Sequence, residues 1–266
     1  MVQKDIFAEE ALDPGHFRVV VFGSSRTVKD SPLFKQVYKF GEVIADMGFD
    51  IVTGGGPGVM EAANTGHQDR ASELLKAGRN GHVHSFGINI KLPFEQRINP
   101  GVKISHEYQR FSARLDEFMS LANVIVIFPG GVGTQLELFY TWQLIQVQHM
   151  CHIPIILVGD KWDGLLKWLR DVPMNDGLFT IDDFKMLKCV KDSDEAITAI
   201  KKWHKLFVEE GGDVCLNWKK YKIGNTLFFN SSFTPSFSLL QNRIHKPKLN
   251  RNRNYFLPIS QVCHVI

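Results

Sequence analysis

Short apolar runs alternate with longer amphipathic segments along most of the chain. Residues 17–22 (FRVVVF) are short and β-branched, the pattern of a strand covered on both faces. Ser31 then precedes Pro32, a helix cap followed by a first-turn proline. Leu33, Phe34, Val37, Tyr38, Ile44 and Met47 recur at helical spacing, and Gly48 closes the stripe. Further strands are expected at residues 49–52, 83–90, 102–105, 124–128 and 153–158. Helices are expected from Val59, across Phe111, Leu115, Phe118, Met119 and Ala122, from the loop at 129–134 to about 149, and over 162–170 and 192–207.

Alternation of this kind demands crossover connections. It predicts an α/β fold: a doubly wound, mostly parallel sheet with helices on both faces, Rossmann-like in plan. Residues 1–211 are expected to form this one domain. After about Gly211 the pattern breaks, and residues 212–266 read as an appended basic C-terminal tail with no assigned role. From Lys222 to Ile266 there are six Lys or Arg and no Asp or Glu, so the formal charge of +3 resides in the tail. That small excess gives no reason to expect nucleic acid as a partner. No apolar run is long enough for a membrane span, and residues 1–10 lack the apolar core of a signal peptide, so a cytoplasmic protein is expected. The four cysteines are far apart and form no Cys-x-x-Cys pair, so free thiols are expected, with neither a disulfide nor a zinc framework.

In an open parallel sheet, ligands bind at the carboxyl ends of the strands. Three polar or glycine-rich turns fall there, at residues 23–26, 53–58 and 129–134. In the third, Gly130, Gly131 and Gly133 allow close backbone approach, and Thr134 adds a hydroxyl where a helix begins. With the positive end of the helix, these make a phosphate cradle; the plainer reading is a tight strand-to-helix turn. The second turn fails as a dinucleotide fingerprint, because Val59 stands where the last glycine belongs. There is no Walker A loop and no Gly-x-Ser-x-Gly elbow.

Glu137 lies three residues after Thr134, which permits either a capping box or a carboxylate facing a sugar. A carboxylate beside a phosphate needs a compensating cation. Arg114, at the edge of the Phe111–Leu115–Phe118 face, is the candidate; the alternative is an arginine whose stem covers the core edge. The histidines, including His82, His84, His149 and His152, show no familiar ligand spacing, and no metal site is expected.

Residues 129–137, Pro-Gly-Gly-Val-Gly-Thr-Gln-Leu-Glu, resemble the PGGxGTxxE signature of the LOG ("Lonely Guy") family, long labelled lysine decarboxylases. Residues 53–64 resemble its second motif, residues 22–26 its opening, and residues 92–96 with Asn99-Pro100 a loop of many bacterial members. The resemblance runs from about Phe17 to Lys202. It implies hydrolysis of the N-glycosidic bond of nucleoside 5′-monophosphates, AMP or cytokinin riboside monophosphates, to free base and ribose 5-phosphate, with no cofactor. It implies Arg114 and Glu137 as catalytic residues and Gly130, Gly131, Gly133 and Thr134 as the phosphate site. Nucleotide contacts are expected from Ser25, Arg26, Gly55, Gly56, Met60 and Asn64, in a homodimer. Leu115 departs from the family, which often has lysine after the arginine. The rival expectation is a non-catalytic nucleotide-binding or carrier protein on the same scaffold.

Overall fold

The computed structural model describes residues 15–79, 82–91 and 97–209. The expected tail, and residues 92–96 of the resemblance, lie outside them. Seven parallel strands form one sheet: β1 (Arg18–Phe22), β2 (Asp50–Thr53), β3 (Ser85–Ile90), β4 (Ile104–Tyr108), β5 (Val124–Ile127), β6 (Ile155–Val158) and β7 (Leu187–Val190). Their order is β4-β3-β2-β1-β5-β6-β7. The chain thus winds outward one way from β1, then returns to its other side at β5, as a doubly wound sheet requires.

Alternation along β1 divides the core in two. Val19 and Val21 face α1 (Pro32–Asp46), α2 (Val59–Lys76) and α7 (Ser193–Glu209), meeting Val37, Phe40, Ile44, Ala63 and Ile200. Val20 and Phe22 face the other layer of α3 (Phe111–Leu121), α4 (Val132–Gln146), α5 (Asp163–Leu169) and α6 (Ile181–Phe184), where Phe118, Leu138, Trp142 and Leu166 pack. Strands buried on both sides have no polar face to show, which is why they read as unbroken apolar runs. The cap of α1 is as expected: Ser31 Oγ accepts from Phe34 N–H at 3.3 Å, with Pro32 in the first turn.

Several expectations need correction. The sequence pattern did not reveal β7 or α6. Edge strand β7 is four residues long, and its sequence, LKCV, places a lysine inside it. Phe111, assigned to the buried face of α3, is 52% exposed, because it opens the helix beyond the edge of its partner layer. Residues 82–84 lie ahead of β3 rather than within it. Cys151 and Cys189, expected as free thiols, are each disulfide-bonded; linear spacing says nothing about which thiols a fold brings together. Among the described residues, no helix is long and apolar enough to cross a membrane.

Candidate active site

The order in which strands are added reverses at the hydrogen-bonded neighbours β1 and β5, and the loops leaving their carboxyl ends start side by side. Ser24 ties three glycine turns together. Its N–H donates to Pro129 O at 3.2 Å, and its carbonyl accepts from Val59 N–H at 2.9 Å. The turns after β1, β2 and β5 are therefore one assembly rather than three separate loops.

Helix α4 begins at Val132 with Gly131 as its cap, and no side chain caps it. The N–H groups of Val132, Gly133 and Thr134 have no carbonyl within the helix to pair with, and they stand at its positive end. Gly131, Val132 and Gly133 are exposed, and a β-carbon on either glycine would meet open space. Gly130 is different: a β-carbon there would overlap the buried Thr134 side chain, which folds back over the loop. These are the features an anion needs, namely unpaired donors, room and a positive dipole.

Arg114 sits in the second turn of α3 and is buried. Its Nε donates to Ile88 O at 2.7 Å, and its guanidinium lies 5.1 Å from the centroid of the Phe118 ring. One Nη occupies the space where a β-carbon on Gly54 would be. The other stands 3.8 Å from Glu137 Oε1, an ion pair too long for a direct hydrogen bond. Arg114 therefore reaches the end of β3, the second glycine turn and α4 at once. Burial lowers its pKa, with Glu137 opposing; a guanidinium remains charged regardless. Burial likewise pushes the Glu137 carboxyl up to about 7, against the pull of Arg114. A glutamate poised near neutrality beside a fixed cation is the kind of group on which acid–base or electrostatic catalysis is built.

The capping-box alternative for Glu137 does not hold. The cap is Gly131, three residues before Thr134, so Glu137 is the sixth residue of the helix and too far along to reach back. The neighbouring helices are locked by Tyr140, whose hydroxyl donates to Asp116 Oδ1 at 2.5 Å.

Of the other expected nucleotide contacts, Ser25 and Arg26 are exposed on the first turn, and Met60 packs its thioether beside Gly54 and Gly56. Gly55 and Gly56 are buried backbone of the second turn. Asn64 is fully buried, and its side chain is engaged internally. It accepts from Thr53 Oγ1 at 2.5 Å and from Asn99 Nδ2 at 3.0 Å, and it donates to Ser85 Oγ at 2.8 Å. Asn99 also bonds Gly55 O and Gly56 O, so this network holds the turn from below. Sequence reasoning missed Asn89, which follows Ile88 at the end of β3. Its Oδ1 is buried against Gly55 and has no hydrogen-bond partner among the described residues. Nothing in the local pattern of β3 singles it out. Leu115 is buried, so the position that often carries lysine in the family here belongs to the interior.

Residues 51–200 match the family model described as "possible lysine decarboxylase". The chain is 34% identical over 118 residues to the pyrimidine/purine nucleotide 5′-monophosphate nucleosidase of Escherichia coli K12. That region is 42% of this chain and 24% of the relative, so the chain spans about a quarter of the relative's length. Among solved structures, the molybdenum cofactor binding protein of Rippkaea orientalis is 22% identical, with a TM-score of 0.50 over 70% of this chain and 96% of that one. A structural-genomics target solved by X-ray diffraction is 23% identical, with a TM-score of 0.51 over 70% of this chain and 99% of its own. At such identities the two structures establish the fold alone. With the model match extending over more than half of the chain, the protein belongs to this possible lysine decarboxylase family, which is the LOG family its glycine motifs resemble.

Proposed function

We propose that the protein hydrolyses the N-glycosidic bond of nucleoside 5′-monophosphates, releasing the base and ribose 5-phosphate. The observation that carries this reading is the Arg114–Glu137 pair, at 3.8 Å, beside the open amino end of α4. The N–H groups of Val132, Gly133 and Thr134 hold the phosphate. Binding energy gained there orients the distant C1′–N bond. As that bond breaks, its electron pair leaves with the base and positive charge builds on the ribose. The Glu137 carboxylate stabilises that charge and orients the water whose oxygen bonds to C1′. One proton of that water is lost and the base gains one, so the reaction balances as a hydrolysis. Arg114 holds Glu137 and the nucleotide in place and offsets the crowding of negative charge.

The nucleosidase name of the E. coli relative supports this reading. The decarboxylase description gains nothing from the site: none of the residues described around the cleft is a lysine that could form a Schiff base. The test is to incubate the protein with a panel of nucleoside monophosphates and follow free base and ribose 5-phosphate. Base release from AMP is the expected result. Tight binding of AMP with no base released would leave the non-catalytic carrier reading standing instead.

A further inference from the structure

At the opposite end of the sheet from the cleft, three donors converge on one point. His16 precedes β1, Asp50 opens β2 and His84 immediately precedes β3. These are adjacent strands, so their amino ends stand side by side. His16 Nδ1 lies 3.1 Å from each carboxylate oxygen of Asp50. His84 Nδ1 lies 3.4 Å from Oδ1, and its backbone N–H donates to that oxygen at 2.7 Å. The three ligand atoms all fall within 4.8 Å of one another, and the two imidazole centroids are 5.0 Å apart.

We propose that His16, Asp50 and His84 form a binding site for a divalent transition-metal ion of the zinc class. Zinc bonds to imidazole nitrogen and carboxylate oxygen are about 2.0–2.2 Å, so neighbouring ligand atoms of a tetrahedral ion sit about 3.3 Å apart. The separations of 3.1 and 3.4 Å bracket that value. Two imidazoles and one carboxylate make a donor set that suits zinc, cobalt or nickel better than calcium or magnesium. The side chain of Asp50 is wholly buried, with Oδ1 turned to both imidazoles and Oδ2 within reach of Arg18. His16 and His84 keep 18% and 23% of their side-chain surface exposed, so the cluster lies within reach of solvent.

Arg18 Nε, 3.7 Å from Oδ2, is the opposing charge. It assigns Oδ1 to the ion and weakens the site relative to one without a cation. Hydrogen bonds alone between one carboxylate and two imidazoles are the other account of the geometry, and it requires no ion. Because the ion would join the starts of β1, β2 and β3, far from Arg114 and Glu137, its role is to pin the sheet.

The test uses the full chain without a histidine tag, stripped with a chelator and titrated with zinc and then cobalt. One equivalent of zinc is expected to bind and to raise the melting temperature, and cobalt is expected to give the visible spectrum of a tetrahedral complex. His16→Gln and His84→Gln should each weaken zinc binding by at least about a hundredfold, since loss even of groups that merely orient a ligand costs 10–100-fold. Glutamine can still hydrogen-bond Asp50, so the metal-free variants should melt close to the metal-free parent, and any base release from AMP should be unchanged. His149→Gln should bind as the parent does. Absence of stabilisation by one equivalent of zinc in the parent overturns the proposal. So does binding that persists at full strength in both variants, because the ion then sits elsewhere.

Discussion

A carboxylate on the sixth residue of a helix does nothing for the helix's first turn, so Glu137 invites a sharp test. Glu137→Gln keeps the shape and removes the charge. Turnover on AMP should fall by at least about a hundredfold, while the melting temperature stays near the parent's. Arg114→Ala should cost a comparable factor, and the double variant should lose much less than the product of the two, because both groups act on one transition state. Near-normal turnover of Glu137→Gln would refute the mechanism. The pH dependence follows from the same burial. If the ionised carboxylate is the working form, kcat/KM rises as pH increases and levels off above about 7, the value to which burial raises Glu137. A profile flat from about pH 5 to 8 would show that this ionisation plays no part. Both residues were legible in the sequence through the family signature. Their 3.8 Å approach was not, since 23 positions separate them and only the packing of α3 beside α4 closes the distance. Asn89 was invisible for the complementary reason: an asparagine next to the last residue of a strand has no local signal, and only the approach of Gly55 shows where its amide lies.

At the scale of elements, the proposed hydrolysis rests on the turns. In that reading the substrate is anchored at the amino end of α4, so a ligand without a phosphate forfeits the anchoring that orients its glycosidic bond. AMP should therefore be cleaved far faster than adenosine under equal conditions; equal rates would remove the phosphate site from the argument. Gly54 provides a second test. A methyl group there collides with the far ends of two side chains, the Arg114 guanidinium and the Met60 thioether, which must shift to admit it. Gly54→Ala should thus melt almost normally yet lose up to about a hundredfold in kcat, the scale set by displacing a positioned group by about an ångström. A Gly54→Ala enzyme with full turnover would mean that Arg114 need not stand where it does. Six of seven strands were anticipated, most of them because double burial writes them as apolar runs; edge strand β4, whose five residues are all at least partly exposed, was met only at its first two residues by the strand expected at 102–105. Strand β7 was not: it lies at the sheet edge with both middle residues half-buried, and Leu187-Lys188-Cys189-Val190 therefore lacks the run. The same blindness hid the site of His16, Asp50 and His84, whose residues meet only because strands distant in sequence are neighbours in the sheet.

At the scale of the whole molecule, several large apolar side chains among the described residues are exposed. By their spacing Val132, Leu136 and Phe139 share one face of α4, and they are 88%, 47% and 37% exposed. Single exposed hydrophobics need no explanation, but three on one face of the helix whose amino end forms the candidate anion site call for a cover. The family resemblance implied a homodimer with sites near a two-fold axis, and this face is where we place that contact. A two-fold interface is self-complementary, so one substitution is felt twice. Light scattering of the full chain should report about twice the 30.3 kDa of one copy at micromolar concentration. Leu136→Glu puts two like charges across the axis and should shift the population toward monomer. Leu136 is not among the residues assigned to the reaction, so any loss of turnover should be recovered as protein concentration rises and the dimer re-forms. If the parent chain scatters only as a 30.3 kDa species, this face has another purpose and the cleft functions within a single copy.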